Sequence, residues 1–350
     1  MATIRMFPSG QEVESLPGDT VLAALERTGY ALPNNCRAGA CGECKVKVRS
    51  GEFDQGMVLD MALSPEDREA GFGLMCMAKP ISDVMEIEWG TEDAQPKLFP
   101  SAENMFYVLT DRVPRTPSIL EIRLRPIGSA MRYWPGQYVT LGDERNGVPT
   151  RCYSIANPPQ PDGEITLHVT RIDEGTTSLW VHDTLKIGDK VRLSGPYGTF
   201  IGDPSAKTPV LCLAAGSGLA PILSLATAAL TRGGFKYPAT VLFSARTEAD
   251  LYETGLLKFL EAKYRNFRFR TTLTRETGPD LSGRIPELLP DLYPDLSGYS
   301  VYIAGSPEFV DECTAVARRL GAKDDLIHTE GFVGQNVATE PPSERLMGSG

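Results

Sequence analysis

Four of the seven cysteines have the spacing of metal ligands. Cys36, Cys41 and Cys44 form a C-x4-C-x2-C run, and Cys76 stands alone after 31 intervening residues. Four thiolates in this order can hold a [2Fe-2S] cluster, which would make the chain an electron-transfer protein. A structural zinc site is the alternative, although such sites usually combine two short cysteine pairs. Sparse cysteines in an odd number argue against a disulfide framework, so the others are expected to be buried structural thiols: Cys152, Cys212 and Cys313.

Length and composition are typical of a multidomain protein in a reducing compartment. The 350 residues are enough for two or three domains with their own cores. The N-terminus leads into Glu12 and Glu14 without an apolar stretch, so we expect no secretory signal and a cytoplasmic location. Residues 210–230 carry no charge and form a run long enough for a membrane-spanning helix. Gly216 and Pro221 interrupt this run. We interpret this window as a buried strand, a glycine turn and a helix, with no membrane association.

Acidic residues are concentrated in the N-terminal part of the chain. The net charge of −10 argues against nucleic-acid binding. Residues 1–95 carry 8 Lys and Arg against 16 Asp and Glu, whereas the remaining 255 residues carry 27 against 29. This asymmetry predicts that the N-terminal segment docks on a basic patch of a partner, with Glu43, beside Cys44, on the docking face. Ordinary solvated surface is the alternative.

The pattern of apolar and turn residues predicts three domains. Residues 1–95 combine short strands with a capped helix, which is typical of a small α+β domain. Residues 102–203 contain short alternating strands between Gly and Pro turns and predict an antiparallel barrel. In residues 204–332 apolar strands alternate with helices, as in a parallel α/β sheet. Residues 333–350 are polar and irregular, and we predict a disordered tail.

The barrel segment contains an arginine and an aromatic residue suited to a nucleotide cofactor. Arg151-Cys152-Tyr153-Ser154 follows Pro135-Gly136-Gln137-Tyr138. This R-x-Y-S after P-G-Q-Y resembles the flavin-binding signature of the ferredoxin-NADP reductase superfamily. The resemblance implies that Arg151 holds the FAD pyrophosphate, Tyr153 packs on the isoalloxazine and Ser154 lies near flavin N5. An arginine fork and an aromatic wall suit those roles.

The next stretch resembles the second phosphate contact of the same superfamily. Its residues would meet the FAD diphosphate with exposed amides and small hydroxyl groups. We interpret the side chain of His168 as that of an ordinary strand residue rather than an acid or base. The residues concerned are His168, Val169, Thr170, Gly175, Thr176, Thr177 and Ser178.

A glycine turn between strand and helix marks the expected nicotinamide site. Glycines allow a backbone to approach a pyrophosphate closely, and Pro221 fits the first helical position. The run Gly216-Ser217-Gly218-Leu219-Ala220-Pro221 resembles the superfamily's nicotinamide motif, in which many members have a glycine at the position of Ala215. Arg246 resembles the residue that approaches the adenosine ribose; the start of a charged helix is the alternative for this stretch. Glu248 and Asp250 flank Arg246 and would repel a 2′-phosphate, which predicts NADH rather than NADPH.

Two further motifs complete the resemblance. Tyr302-Ile303-Ala304-Gly305-Ser306-Pro307 resembles the superfamily's Y-x-C-G-P-P, with Ala304 in place of the cysteine beside the nicotinamide and Gly305 as a cofactor-binding residue. Glu330-Gly331-Phe332 resembles the E-x-F whose aromatic ring covers the flavin, although 18 residues follow it here. The implied catalytic residues are Ser154, Glu330 and Phe332.

The order of the motifs is similar to that in the reductase components of bacterial multicomponent oxygenases. The resemblance implies a ferredoxin-like (β-grasp) domain, an antiparallel β-barrel FAD domain and an α/β parallel-sheet nicotinamide-binding domain. It implies an NADH:acceptor oxidoreductase in which electrons pass from NADH through FAD and a [2Fe-2S] cluster to a terminal oxygenase. A reductase serving a cytochrome P450 or a sugar-deoxygenation dehydrase is the alternative. A non-enzymatic zinc or redox-sensing module is a third hypothesis, against which the intact motifs argue.

Overall fold

A computed structural model describes residues 1–203 and 206–332, so the predicted tail at 333–350 lies outside the described residues. Three sheets of five or six strands follow one another along the described chain, and a separate two-stranded sheet lies in the first domain. Each of the three larger sheets has its own cluster of buried apolar side chains, and the third sheet has one on each face. This architecture confirms the predicted fold class.

The first domain is a five-stranded mixed sheet packed on a short helix. The strand order is β2-β1-β7-β3-β5, with β1 parallel to β7. The hydroxyl of Thr20 accepts from the Ala23 amide and caps the helix, whose buried side includes Leu22 and Leu25. The elements are β1 (Ala2–Phe7), β2 (Glu12–Ser15), α1 (Val21–Arg27), β3 (Lys45–Ser50), β4 (Phe53–Asp54), α2 (Pro65–Glu69), β5 (Phe72–Leu74), β6 (Lys79–Pro80) and β7 (Val84–Glu88).

The second domain is a curled antiparallel sheet of six strands in the order β11-β10-β13-β8-β9-β12. An antiparallel bridge between Ile155 and Leu167 joins its two edges, so the sheet closes on itself as predicted for a barrel. Alternate side chains of the strands fill the interior. The elements are β8 (Ala102–Pro114), β9 (Ile119–Pro126), β10 (Tyr138–Asp143), β11 (Val148–Ser154), β12 (Ile165–Thr170), α3 (Thr176–Leu179) and β13 (Lys190–Tyr197).

The third domain is a parallel sheet in the order β17-β16-β15-β14-β18-β19. Because the strands are parallel, their carboxyl ends meet at one edge, where such sheets bind ligands. The elements are β14 (Val210–Ala215), α4 (Leu219–Thr231), β15 (Ala239–Ala245), α5 (Thr254–Lys263), β16 (Phe267–Leu273), β17 (Leu281–Ser282), α6 (Ile285–Leu292), β18 (Ser300–Gly305), α7 (Pro307–Arg319) and β19 (Ile327–Gly331).

The uncharged window at 210–230 divides into β14, a glycine turn and α4, as predicted. The α-helix begins at Leu219, so Pro221 is its third residue rather than its first. Proline is tolerated there because the first four N–H groups of a helix have no intrahelical partner. Across the described residues, no helix is both long and apolar enough to span a membrane.

Aromatic contacts fix the segment between the first two domains. The ring of Phe99 stacks on that of Trp134 with 5.2 Å between centroids, and the Trp134 indole N–H donates to the Lys97 carbonyl at 3.2 Å. The amides of Lys97 and Leu98 both donate to the Gly29 carbonyl of the first domain. These contacts tie the segment at 97–99 both to the first domain and to the barrel.

Candidate functional site

The loop at 34–44 presents its cysteine sulfurs to several backbone amides. The amides of Ala38 and Ala40 each donate to Cys36 Sγ at 3.4 Å, and the amide of Cys76 donates to Cys44 Sγ at 3.4 Å. Amides aimed at sulfur stabilise thiolates and the negative charge of a bound cluster. Gly39 has a φ of +67°, a backbone conformation that glycine adopts at little cost.

The four thiols are arranged as two pairs. Cys36 shares a hydrogen bond with Cys41, which lowers the pKa of Cys36 to about 5, and Cys44 shares one with Cys76, which lowers the pKa of Cys44. A tetrahedral zinc ion at about 2.3 Å from each sulfur would place all four within about 4 Å of one another. Within the described ranges no three of these sulfurs lie within 4.8 Å of one another. Two separated pairs suit a two-iron cluster.

Ser154 and Glu330 join the barrel to the parallel sheet. Ser154 is the last residue of β11 and its hydroxyl donates to Glu330 Oε1 at 3.0 Å; both residues are buried. Burial raises the pKa of Glu330 to about 8, although the bond from Ser154 acts in the opposite direction. Glu330 Oε2 is buried and has no hydrogen-bond partner in the described part of the chain. The carboxyl group is therefore protonated at neutral pH, with one oxygen available to a bound molecule.

The residues after Glu330 contact the other two expected cofactor sites. The Gly331 carbonyl accepts from the side-chain amide of Asn35, which precedes Cys36 in the cysteine loop. The Phe332 amide donates to the Gly305 carbonyl at the end of β18, at 2.8 Å. Three consecutive residues thus contact the first, second and third domains.

The glycine turn after β14 lies at the carboxyl-terminal edge of the parallel sheet. Gly216 has a φ of +56° and open space where a Cβ would lie, so its backbone is accessible. A Cβ on Gly218 would lie 2.1 Å from the Ala304 carbonyl oxygen, so only glycine allows α4 to begin this close to β18. Ala304 is fully buried, which places its methyl group in the core.

The sequence matches three domain families along its length. The 2Fe-2S iron-sulfur cluster binding domain matches residues 4–80, the oxidoreductase FAD-binding domain residues 110–201 and the oxidoreductase NAD-binding domain residues 212–315. These ranges fall on the three sheets described above.

Similar proteins match almost end to end. An aromatic O-demethylase reductase subunit from an Amycolatopsis species is 32% identical over 337 residues, covering 94% of this chain and 98% of that protein. The phenol 2-monooxygenase reductase component DmpP from a Pseudomonas species is 33% identical over 330 residues, covering 92% of both. The chain belongs to this family of reductase components. The crystal structure of the Amycolatopsis cytochrome P450 reductase GcoB superposes with a TM-score of 0.86 at 29% identity, covering 95% of this chain and 99% of that one.

The reductase is therefore an oxidoreductase that binds a [2Fe-2S] cluster, FAD and NAD. The zinc alternative and the non-enzymatic module are wrong. The predicted ligands Cys36, Cys41, Cys44 and Cys76 lie together, as a cluster requires. The free Oε2 of Glu330 and the open backbone at Gly216 are features that a flavin and a nicotinamide dinucleotide would use.

Several predicted FAD residues lie on the barrel side of the same region. Arg151 is half-buried on β11, and Tyr153 is largely buried beside it, where burial raises its pKa. Thr177 Oγ1 donates to the Pro149 carbonyl, and Ser178 Oγ donates to the Gly175 carbonyl at 2.9 Å. These bonds order the short helix α3, whose first residue is Thr176, against β11.

Arg246 lies exposed at the end of β15, and Ser217 is half-exposed in the glycine turn.

The side chains of His168, Val169 and Thr170 on β12 have different surroundings. The Val169 side chain is in the barrel core, and Thr170 Oγ1 has no partner within the described residues. His168 Nε2 lies 3.4 Å from Glu121 Oε2, and its ring meets that of Tyr252 edge-on at 5.1 Å. The side chain of His168 thus faces the third domain and contributes to a domain interface.

Sequence reasoning missed the residues that connect the domains. The Tyr138 hydroxyl donates to Asn34 Oδ1, and the guanidinium of Arg37 lies 3.9 Å from the centre of the Tyr197 ring. Arg115 pairs with Glu121 at 2.6 Å and with Glu253 of the third domain at 3.1 Å. The one available signal was Glu121, a charged residue between the apolar Leu120 and Ile122 on β9.

Proposed function

We propose that this reductase takes electrons from NADH and delivers them to the terminal oxygenase of an aromatic or hydrocarbon oxygenase system, in the cytoplasm. The observation that carries the proposal is the segment Glu330–Phe332, which contacts the cysteine loop, the barrel and the parallel sheet. A single short segment shared by all three domains suits a relay in which the cofactors lie close together.

Each cofactor supplies a defined chemistry to this arrangement. When bound, FAD accepts an electron pair from NADH and releases electrons singly to the cluster. In the proposal, Arg151 grips the FAD pyrophosphate, Tyr153 provides an aromatic wall, and Ser154 orients the Glu330 carboxyl group. Glu330 holds a proton at neutral pH, so no buried negative charge opposes reduction in its neighbourhood.

The charges around Arg246 support a preference for NADH. The Glu248 amide donates to Glu276 Oε2 at 2.9 Å, which places a further carboxylate beside the loop. Asp250 accepts from the amide and hydroxyl of Thr247 and so stays fixed close to Arg246. These carboxylates would repel the 2′-phosphate of NADPH.

A cytochrome P450 is the second candidate for the acceptor. The structural similarity to a cytochrome P450 reductase, with a TM-score of 0.86, favours it. The phenol 2-monooxygenase reductase component, at 33% identity, favours a phenol monooxygenase equally well. The sugar-deoxygenation dehydrase has no comparable support among the relatives described.

Reconstitution with purified acceptors tests the proposal. The reductase and NADH are mixed with a phenol monooxygenase hydroxylase component or with an aromatic O-demethylating P450, and product is measured per NADH consumed. We expect hydroxylated or demethylated product in near-equal yield to NADH with at least one of them, and little with NADPH. Rapid NADH oxidation with no product from either enzyme would contradict an oxygenase partner.

A further inference from the structure

Three exposed apolar side chains lie beside the cysteine loop. Met57 and Met61 are 81% and 86% exposed, and Leu59 between them is 40% exposed. We call Met57, Leu59 and Met61 the methionine patch. Contiguous exposed apolar residues mark interaction sites, and methionine is common at surfaces that adapt to a partner.

The segment that carries the patch packs directly on the cysteine loop. The Leu59 amide donates to the Gly39 carbonyl at 3.0 Å. A Cβ on Gly39 would lie 2.9 Å from the Val58 side chain, and one on Gly42 would lie 3.3 Å from the Ala62 carbonyl oxygen. Cys41 lies between these two glycines and is half-exposed, whereas the other three cysteine ligands are buried. The patch therefore borders the most accessible ligand.

The opposite edge of the cysteine loop faces the rest of the reductase. Asn34 and Asn35 contact Tyr138 and Gly331. Glu43, next to Cys44, is exposed, and Asp311 on α7 is among the charged groups near it. The expectation that Glu43 lies on the docking face stays a prediction.

The surroundings of the methionine patch are acidic. Residues 52–69 contain six carboxylates against one basic side chain, Arg68. Asp60, between Leu59 and Met61, pairs with Arg68 but stays 80% exposed. An apolar centre with a charged rim is the usual anatomy of a transient protein interface, and acidic rims attract basic partners.

We infer that the methionine patch is the surface on which the electron acceptor docks, and that the acceptor presents an apolar spot ringed by Lys and Arg side chains. This inference rests on the proposed function and assigns its exit surface. The inner edge of the cysteine loop contacts the flavin and nicotinamide domains. The outer edge, beside the methionine patch, is therefore the one that a partner can reach.

Binding measurements with a defined basic acceptor test the inference. Ferric cytochrome c, whose exposed haem edge is ringed by lysines, is titrated into oxidised holoprotein at low salt by calorimetry. We expect the double variant Met57→Ser/Met61→Ser to bind about tenfold more weakly. Ile187→Ser is the matched control, since Ile187 is 62% exposed on the barrel, and should bind as the wild type does. Equal affinity of the double variant and the wild type would overturn the inference.

Two further readouts separate this inference from the proposed function. NADH-driven appearance of the cluster's EPR signal should be the same in the double variant and the wild type, which also shows that the variant is folded. Cytochrome c reduction should fall with the affinity. If Asp60→Asn weakens binding but the methionine changes do not, docking is purely electrostatic and the inference is wrong. If Cys41→Ser leaves cytochrome c reduction unchanged, electrons pass to the acceptor from the flavin. In that case the cluster-to-acceptor step of the proposed function is wrong, and not the position of the docking surface.

Discussion

The side-chain amide of Asn35 donates to the main-chain carbonyl of Gly331. Asn35 precedes the predicted cluster ligand Cys36, and Gly331 follows the buried acid Glu330. The contact therefore joins the cysteine loop directly to the strand that borders the expected flavin site. We expect it to help hold the first domain in the orientation that internal electron transfer requires.

Removing this contact should slow electron transfer between the domains. In Asn35→Ala we expect NADH-driven cluster reduction to slow by several fold, because the first domain is less well held, while flavin bleaching keeps its rate. Stopped-flow absorbance resolves both steps. Asn146→Ala, a change at an exposed asparagine of the barrel, is the control. Unchanged cluster reduction in Asn35→Ala would show that the contact has no part in orienting the domain.

Flavin reduction should depend on the protonation of Glu330. Its pKa of about 8 means that the carboxyl group is neutral below that pH and becomes a buried anion above it. We expect the rate of flavin reduction by NADH to fall above pH 8 in the wild type and to stay level in Glu330→Gln. In Ser154→Ala the fall should move to higher pH, because the lost hydrogen bond is one that lowers the pKa. Identical pH profiles for all three proteins would exclude this role.

The free energy of unfolding should also depend on the protonation of Glu330, in a direction that its raised pKa defines. The folded protein keeps a proton on Glu330 that the unfolded chain releases above about pH 4.5. The contribution of Glu330 to the free energy of unfolding therefore decreases as pH rises from about 4.5 to 8, by at most about 1.4 kcal/mol per pH unit. Glu330→Gln should lose that slope in apoprotein denaturation curves.

Coenzyme choice should respond to the carboxylates near Arg246. Wild-type kcat/KM should favour NADH, and Glu248→Ser/Glu276→Ser should raise kcat/KM for NADPH about tenfold, because two charges that repel the 2′-phosphate are gone. The value for NADH should change little. Steady-state assays with ferricyanide as the electron acceptor measure kcat/KM for both coenzymes. A wild-type preference for NADPH would refute the assignment of this loop.

Arg115 should matter for stability more than an exposed arginine does. It pairs with Glu121, which is buried, and with Glu253 of the third domain. Burial would raise the pKa of Glu121, but hydrogen bonds from His168 and Arg115 outweigh it and lower the pKa to about 2. Arg115→Ala should cost about 3 kcal/mol in calorimetry, since it removes the cation paired with Glu253 and one of the two cations paired with Glu121, which keeps Arg123 at 2.9 Å. Arg171→Ala breaks an exposed pair with Asp183 and should cost below about 1 kcal/mol.

Patterns local in sequence predicted the fold, whereas contacts between domains could not be predicted. Strand β12 was predicted at its observed bounds because its alternating residues repeat every second position. The cysteine spacing predicted the cluster because the four cysteines in question lie on one loop and one distant turn. The contacts of Asn35, Arg37 and His168 depend on how separate domains meet, and short polar motifs carry no signal for that.

Freeze-quench EPR under anaerobic conditions, after mixing with one equivalent of NADH, tests the central claim most directly. Flavin bleaching should precede a reduced-cluster signal in the wild type. That signal should be absent in Cys41→Ser and Cys76→Ser, which keep their FAD, and present in Cys212→Ser and Cys313→Ser, because these two thiols lie in the core of the third domain. A normal cluster signal in Cys76→Ser with unchanged iron content, or a wild-type cluster that NADH never reduces, would contradict the account.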